Sequence, residues 1–476
     1  MNQSHHPWPA RRRLATLTLA TLALSGCASF SDDGGFGTVA QLSRERIGQA
    51  PTHLRTAGQT DSAQARIAEL LAQPLTAESA VEMALLGNPA LQAGYAELGV
   101  AEADRVRAGR LANPTFSFGR KHSDGAVDID RSLTFNLLSL LTLPLAQQVA
   151  TQQFEQAQIA AAEATVALAT EARMAYFDAV AAAQLLTYHG QVKAAADTAG
   201  ELARRMAAAG NFNRLDQLRE QAFQADATAR LARAQQQALA ARERLARALG
   251  LAQDPAALRL PERLPDLPAA PLAVQDAEQT AMDRRLDVQR AKRTTEATAR
   301  ALGLTQTTRM VNVLHLGYQN SSATGESRAN GYEIELELPL FDFGGARVAR
   351  AEASYLASVH RTAAVAVQAR SEVREAHAAY RSAYDIARHY RDEVVPLRKR
   401  ISDENLLRYN GMFVSVFDLL ADAREQVSAV AGAVEALRDH WQAQTRLQAA
   451  LAGRVPGGGG ASAPALTPTS SPSGGH

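Results

Sequence analysis

Gly331-Tyr332-Glu333-Ile334-Glu335-Leu336-Glu337-Leu338-Pro339-Leu340-Phe341-Asp342-Phe343-Gly344-Gly345-Ala346-Arg347 is the stretch on which the fold turns. From Glu333 to Leu338, acidic and aliphatic residues alternate strictly. On a strand this puts Ile334, Leu336 and Leu338 on one face and Glu333, Glu335 and Glu337 on the other. Pro339 closes the strand, at an end where proline is tolerated. Beyond Gly345 the period changes. Val359, Ala366, Val373, Tyr380 and Ala387 recur every seven residues, with Tyr355, Ala369, Ala376, Ala383 and Tyr390 interleaved. That pattern is a coiled-coil seam of small residues. It predicts helix over 345–409, about 100 Å at 1.5 Å per residue, with a kink or interruption at Pro396.

The same plan occurs earlier in the chain, and self-similarity of this kind sets the architecture. Residues 74–251 and 273–453 each read as helix, β-hairpin, very long helix, glycine-containing turn and final helix. The opening helical stretches are expected at 75–111 and 274–307. Strands are expected at 115–120 and 133–138 around the loop 121–131, and at 311–318 and 332–338 around the loop 319–331. In the first copy, Pro144 is expected to close the second strand, and the long helix to run over 145–209. Residues 252–272 connect the copies, with Pro255, Pro261, Pro265, Pro268 and Pro271 excluding a long helix. The tail 454–476 is mostly Gly, Pro, Ser, Ala and Thr, a composition expected to stay disordered. Two hairpins with no other strands could not form a stable soluble sheet alone, and pooling strands between chains solves this.

Composition fits extended helical packing. Alanine, the best helix former, dominates long stretches, while aromatic residues are 5 %. With 50 basic and 49 acidic residues, no long-range field points to nucleic acid. At the N-terminus, Arg11, Arg12 and Arg13 precede an apolar run from Leu14 to Leu24 and then Ser25-Gly26-Cys27. Residues 1–26 thus read as a secretory signal peptide. It ends as a bacterial lipobox ends, so Cys27 is the expected lipidation site and 27–73 an irregular, lipid-anchored tether along the outside of the helices. Cys27 is the only cysteine in the sequence, which rules out a disulfide within one chain. Ala28 and Ser29 follow it, in place of the aspartate that resembles an inner-membrane retention signal. No later apolar run escapes interruption by charges, so a membrane crossing would have to be made by strands of a closed barrel.

Helix, hairpin, long helix and return helix, twice behind a lipobox, resembles the TolC family of outer-membrane efflux factors, in its lipoprotein branch. Leu75-Thr76-Ala77-Glu78-Ser79-Ala80 with Gly87-Asn88-Pro89, the strand-to-helix junction Pro339–Arg347, and Val395-Pro396-Leu397 followed by Tyr409 to Asp418 carry the likeness. The first copy departs from it at Leu143-Pro144-Leu145-Ala146, which lacks the Asp-Gly-Gly element. The resemblance implies a mostly α protein with a small β part. It implies a homotrimer whose four strands per chain close a 12-stranded outer-membrane β-barrel, continuous with a periplasmic α-helical barrel. Glu333, Glu335 and Glu337 would face the barrel lumen. The periplasmic tips would carry adaptor contacts at Gly210, Asn211, Phe212, Tyr409, Gly411, Met412 and Phe413, and a constriction at Asp216 and Asp418. Asp418 follows Gly411 by seven residues, whereas Asp216 follows Gly210 by six. Both glycines also suit helix termination through a left-handed residue, and both aspartates suit N-capping.

The implied function is a passive outer-membrane exit duct for drugs or metal ions, fed by an inner-membrane pump through a periplasmic adaptor, without cofactor or metal beyond the covalent lipid. The partners are a second and third copy, adaptor, pump and outer-membrane lipid, with no nucleic acid. Type I protein secretion is an alternative cargo, and a periplasmic coiled-coil scaffold lipoprotein an alternative class. No lysine completes a phosphate loop, and no Gly-x-Ser-x-Gly or His-Glu-x-x-His is present in the sequence.

Overall fold

A computed structural model describes residues 29–123, 125–210, 213–251, 258–311 and 313–454. Cys27, Asn211 and Phe212, the signal segment, most of the tail and part of the inter-copy connection lie outside them. In chain order the elements are α1 (Phe36–Ile47), α2 (Ala57–Leu71), α3 (Ala77–Gly87), α4 (Pro89–Ala108), β1 (Thr115–Ser123), β2 (Ala126–Asn136), α5 (Leu137–Ala208) and α6 (Arg214–Leu249). The second copy gives α7 (Ala277–Arg284), α8 (Leu286–Thr308), β3 (Leu314–Ala323), β4 (Ala329–Leu336), α9 (Gly345–His389), a π-helical turn (Tyr390–Val394), α10 (Val395–Asn410) and α11 (Val416–Ala452). The protein is mostly helical with one small antiparallel sheet, and the plan repeats.

Each copy breaks its opening helix at one residue. Asn88 accepts from the amides of Ala90 and Leu91, capping α4 ahead of Pro89, and its Nδ2 donates to the Ala248 carbonyl at the end of α6 (3.1 Å). In the second copy Arg285 stands at the break. Fully buried, it pairs with Asp287 and Glu372 at 2.7 Å each and donates to the Ala450 carbonyl. Both breaks tie the start of a repeat to the end of its last helix.

α5 is 72 residues long, about 108 Å. Its small buried residues Ala172, Ala179 and Ala196 let α6 lie close along it, while Ala162 and Ala169 cluster with Leu91, Tyr95 and Leu98 of α4. On α9 the seven-residue seam is buried at Val373, Tyr380 and Ala387 and runs out at Val359, which is 37 % exposed. The helix is interrupted before Pro396: the π-turn at Tyr390–Val394 absorbs the missing amide, and Pro396 then sits in the first turn of α10.

Three expectations need correction. Pro144 does not end a strand but lies inside α5. The reason is Asn136, whose side chain accepts from the Ser139 amide (2.9 Å) and starts the helix directly from β2. The hairpins are longer and their loops shorter than the loop-prone composition suggested, because Ser, Asp and Asn there pair across strands. The mature N-terminal segment is also not irregular. α1 packs on α5 through Val39, and α2 starts with a capping box between Thr56 and Gln59.

Candidate functional site

The two hairpins join into one sheet in the order β1-β2-β3-β4, every pair antiparallel. Phe116 lies opposite Leu133, which lies opposite Tyr318, which lies opposite Tyr332. One step along, Phe135 faces Leu316 and Leu316 faces Ile334. Directly opposed residues share a face. One face therefore carries Phe116, Phe118, Leu133, Phe135, Leu314, Leu316, Tyr318, Tyr332, Ile334 and Leu336. The other carries Ser117, Lys121, Asp128, Asp130, Ser132, Thr134, His315, Gln319, Glu333 and Glu335. The apolar face is open: Tyr332 is 85 % and Ile334 71 % exposed. β1 and β4 have no strand on their outer sides among the described residues.

Glu333 and Glu335 thus lie on the polar face. Gln319 donates to Glu333, and His315 Nδ1 stands 2.9 Å from Glu335. Glu337 lies one residue past β4, and its amide donates to the Val313 carbonyl (3.3 Å). Leu338, also past the strand, leads into an exposed apolar turn with Leu340, Phe341 (98 % exposed) and Phe343. That turn reaches α9 through Gly344, whose φ of 75° is left-handed and whose Asp342-bonded amide fixes it (2.8 Å). A Cβ there would lie 2.5 Å from the Arg309 carbonyl oxygen, so only glycine fits. The first copy has no such turn, since Asn136 caps α5 at once.

The other end of the long helices carries two turns built alike. In the first, Gly210 is left-handed (φ 78°), Asn213 caps α6, and Asp216 is the third helical residue, with Arg219 3.1 Å away. In the second, Gly411 is not the left-handed residue. It ends α10 at φ −81°, and Met412 takes φ 62° instead. The Phe413 amide reaches back to the Arg408 carbonyl (2.8 Å) and the Met412 amide to Tyr409 (2.9 Å). Ser415 caps α11 in a capping box with Asp418: the Ser415 amide (2.9 Å) and hydroxyl (2.8 Å) both donate to its carboxylate. Those bonds hold the Asp418 carboxyl below its ordinary range, the hydroxyl contributing most. Counted from the left-handed residue, both aspartates come six residues later. The extra residue in the second turn therefore lies before Met412, and the caps Asn213 and Ser415 each follow the left-handed residue by three. Met412 (93 %) and Phe413 (83 %) project into solvent, and Tyr409 is 41 % exposed.

Asp216 and Asp418 thus stand at the third helical position and are not themselves the caps, and four residues beyond each lies an acid that the sequence pattern alone did not single out. Glu220 (2 % exposed) and Asp422 (7 %) are buried in α6 and α11. Each heads a seven-residue ladder of alanines: Ala227, Ala234 and Ala241 after Glu220, and Ala429, Ala436 and Ala443 after Asp422. A charge at the head of a small-residue seam was the available signal. Arg424 spans from α11 to Glu220 at 2.5 Å, and its guanidinium lies 4.7 Å over the Phe223 ring. One oxygen of Glu220 and one of Asp422 have no hydrogen-bond partner. Among the described residues, no three His, Cys, Asp or Glu side chains are grouped to hold a metal ion, and no helix is long and apolar enough to cross a membrane.

This architecture defines the fold of outer-membrane efflux channels. Solved structures with it include a membrane protein from Pseudomonas aeruginosa (23 % identity, TM-score 0.66, covering 79 % of this chain and 93 % of that one). The outer-membrane protein VceC of Vibrio cholerae is similar at 17 % identity and TM-score 0.65, covering 79 % and 96 %. The MtrE outer-membrane channel of Neisseria gonorrhoeae, in its open state, is similar at 18 % and 0.66, covering 79 % and 89 %. At these identities the likeness is one of fold. The family model for outer membrane efflux protein matches residues 80–251. No curated protein matches the sequence.

Proposed function

We propose that the protein is the outer-membrane channel of a tripartite efflux system. The carrying observation is the sheet: four strands with one apolar face, one polar face and two open edges. Three copies joined edge to edge would close a 12-stranded barrel, with the apolar face to lipid and the glutamate face to water. The long helices would continue as a periplasmic conduit to the tip turns. There the exposed Met412, Phe413 and Tyr409, with Gly210, Asn211, Phe212 and Gly411, would meet the adaptor. Asp216 and Asp418 would lie near the constriction, beside the buried Glu220 and Asp422. Lipid on Cys27 would add an anchor, and an inner-membrane pump would supply the energy.

The test is reconstitution with genetics. Purified full-length protein should conduct in planar bilayers as a heat-sensitive trimer, and the triple variant E333Q/E335Q/E337Q should lose cation preference. A deletion strain with complementation, challenged with copper, zinc, cadmium and cobalt salts beside dyes, detergents and antibiotics, identifies the cargo class. A protein that neither conducts nor changes any susceptibility would overturn the efflux reading.

A further inference from the structure

Residues 29–31 are held more tightly than an exposed segment requires. Glu102 on α4 is 3 % exposed and accepts from both the amide (2.8 Å) and the hydroxyl (2.6 Å) of Ser31. Arg105, one turn on, bonds the same carboxylate (3.1 Å), donates to the Ser29 carbonyl (3.2 Å) and lies 5.1 Å over the Phe154 ring. Burial opposes ionisation of Glu102, but the bonds from Ser31 and Arg105 outweigh it and hold the carboxyl below its ordinary range. Phe30, between the two tied residues, lines a groove of about 660 Å³ whose apolar part is Val106, Leu111, Leu143 and Ala146 and whose polar part includes Arg107, Arg110 and Asn113. The groove lies where α4 gives way to β1 and β2 to α5. It is therefore level with the margin of the apolar sheet face, where Leu140 and Leu141 are also exposed.

We propose that this groove seats an acyl chain of the lipid on Cys27, and that the clasp of Glu102 and Arg105 on residues 29–31 sets its height. The inference rests on the reading of Cys27 as the lipidated residue. Cys27 stands two residues before Ser29, a reach of about 7 Å at full extension, so the thioether is confined to the neighbourhood of the groove. The apolar lining accepts hydrocarbon, and Phe30 closes the side nearest the chain. The clasp acts by position, since a buried carboxylate with three donors holds one geometry better than an exposed pair would.

The test uses full-length protein in its own membrane, in cells fed a diazirine-bearing fatty acid. After irradiation, mass spectrometry first establishes acylation of Cys27 and then maps cross-links from that chain. Cross-links concentrated in 103–113 and 139–146 are expected. Ala146→Trp, which fills the groove, should cut them several-fold while trimer content on unheated gels stays unchanged. Should that variant not assemble, Glu102→Gln, which loosens the clasp, should spread them away from both segments. Acylated Cys27 with cross-links to phospholipid alone, or a pattern indifferent to both variants, would overturn the groove. Unacylated Cys27 would instead overturn the lipoprotein reading, and the groove assignment with it.

Discussion

Removing the Arg424 guanidinium should loosen the tip far more than neutralising its partner. In Arg424→Leu the Glu220 carboxylate, on a residue only 2 % exposed, loses its counterion and keeps an oxygen already unbonded. Removing one partner of a buried pair costs about 3–5 kcal/mol. A third of the Arg424 side chain already meets solvent (32 %), so water can enter and the lower end, about 3 kcal/mol, applies. Lost contact with Phe223 adds about 0.5–1 kcal/mol. At about 1.4 kcal/mol per tenfold, the locally open population rises by about two and a half to three orders of magnitude. Glu220→Gln leaves a partly exposed arginine that can turn to solvent, so about 1 kcal/mol is expected. The double variant should regain at least about 1 kcal/mol over the sum of the two. Native-state hydrogen exchange of amides in 216–230 and 418–430 reads this directly. Equal effects of the two single substitutions, or strict additivity in the double, would refute the reasoning that a buried pair ties α6 to α11.

Other positions give independent checks. Met412→Gly relieves a left-handed side chain, about 1–2 kcal/mol, partly offset by about 0.4–1 kcal/mol of unfolded-chain entropy; the tip should exchange slightly more slowly, whereas Gly210→Ala should speed exchange in the first turn. Arg285→Met leaves Asp287 and Glu372 unpaired around a fully buried site and should cost about 3–5 kcal/mol, read as a lower denaturation midpoint. His440 is fully buried among Tyr380, Tyr384 and Trp441 with both ring nitrogens unbonded, and burial pushes its pKa down to about 4. The unfolded chain binds the proton first, so stability is present above the ordinary imidazole pKa of about 6.5 and is lost as pH falls toward about 4, by at most about 3 kcal/mol. His440→Leu should flatten that part of the stability–pH profile. The Asp418 cap has a depressed carboxyl pKa, so its contribution is present above the ordinary aspartate value and lost as pH falls below it; Asp418→Asn should abolish that acid sensitivity of tip exchange.

Much of this was legible because period is legible. The alternation at Glu333–Leu338 and the heptads after Gly345 announced strand and long helix, and the repeat gave the order of elements twice. What escaped depended on contacts between distant residues. Pro144 looked like a stop because nothing local announces that Asn136 has already capped the helix. The left-handed residue of the second tip was placed on Gly411 because glycine adopts that conformation cheaply, yet the Schellman-type bond from Phe413 to Arg408 sets it at Met412. Helices in the N-terminal segment are short and carry few large apolar residues, and they are fixed by docking, α1 on α5 and α2 on α3. Glu220 and Asp422 read as ordinary surface charges until their alanine ladders are traced back to them.

Cysteine accessibility along β4 tests the central claim most directly. The sequence has no cysteine besides Cys27, so single cysteines at positions 332 to 336 can be read one at a time in the reconstituted full-length protein. A charged, water-soluble thiol reagent should reduce the current through Glu333→Cys and Glu335→Cys and leave Tyr332→Cys, Ile334→Cys and Leu336→Cys unchanged. A response without that alternation, or modification of Ile334→Cys as fast as of Glu335→Cys, would contradict a barrel with its glutamate face toward the pore.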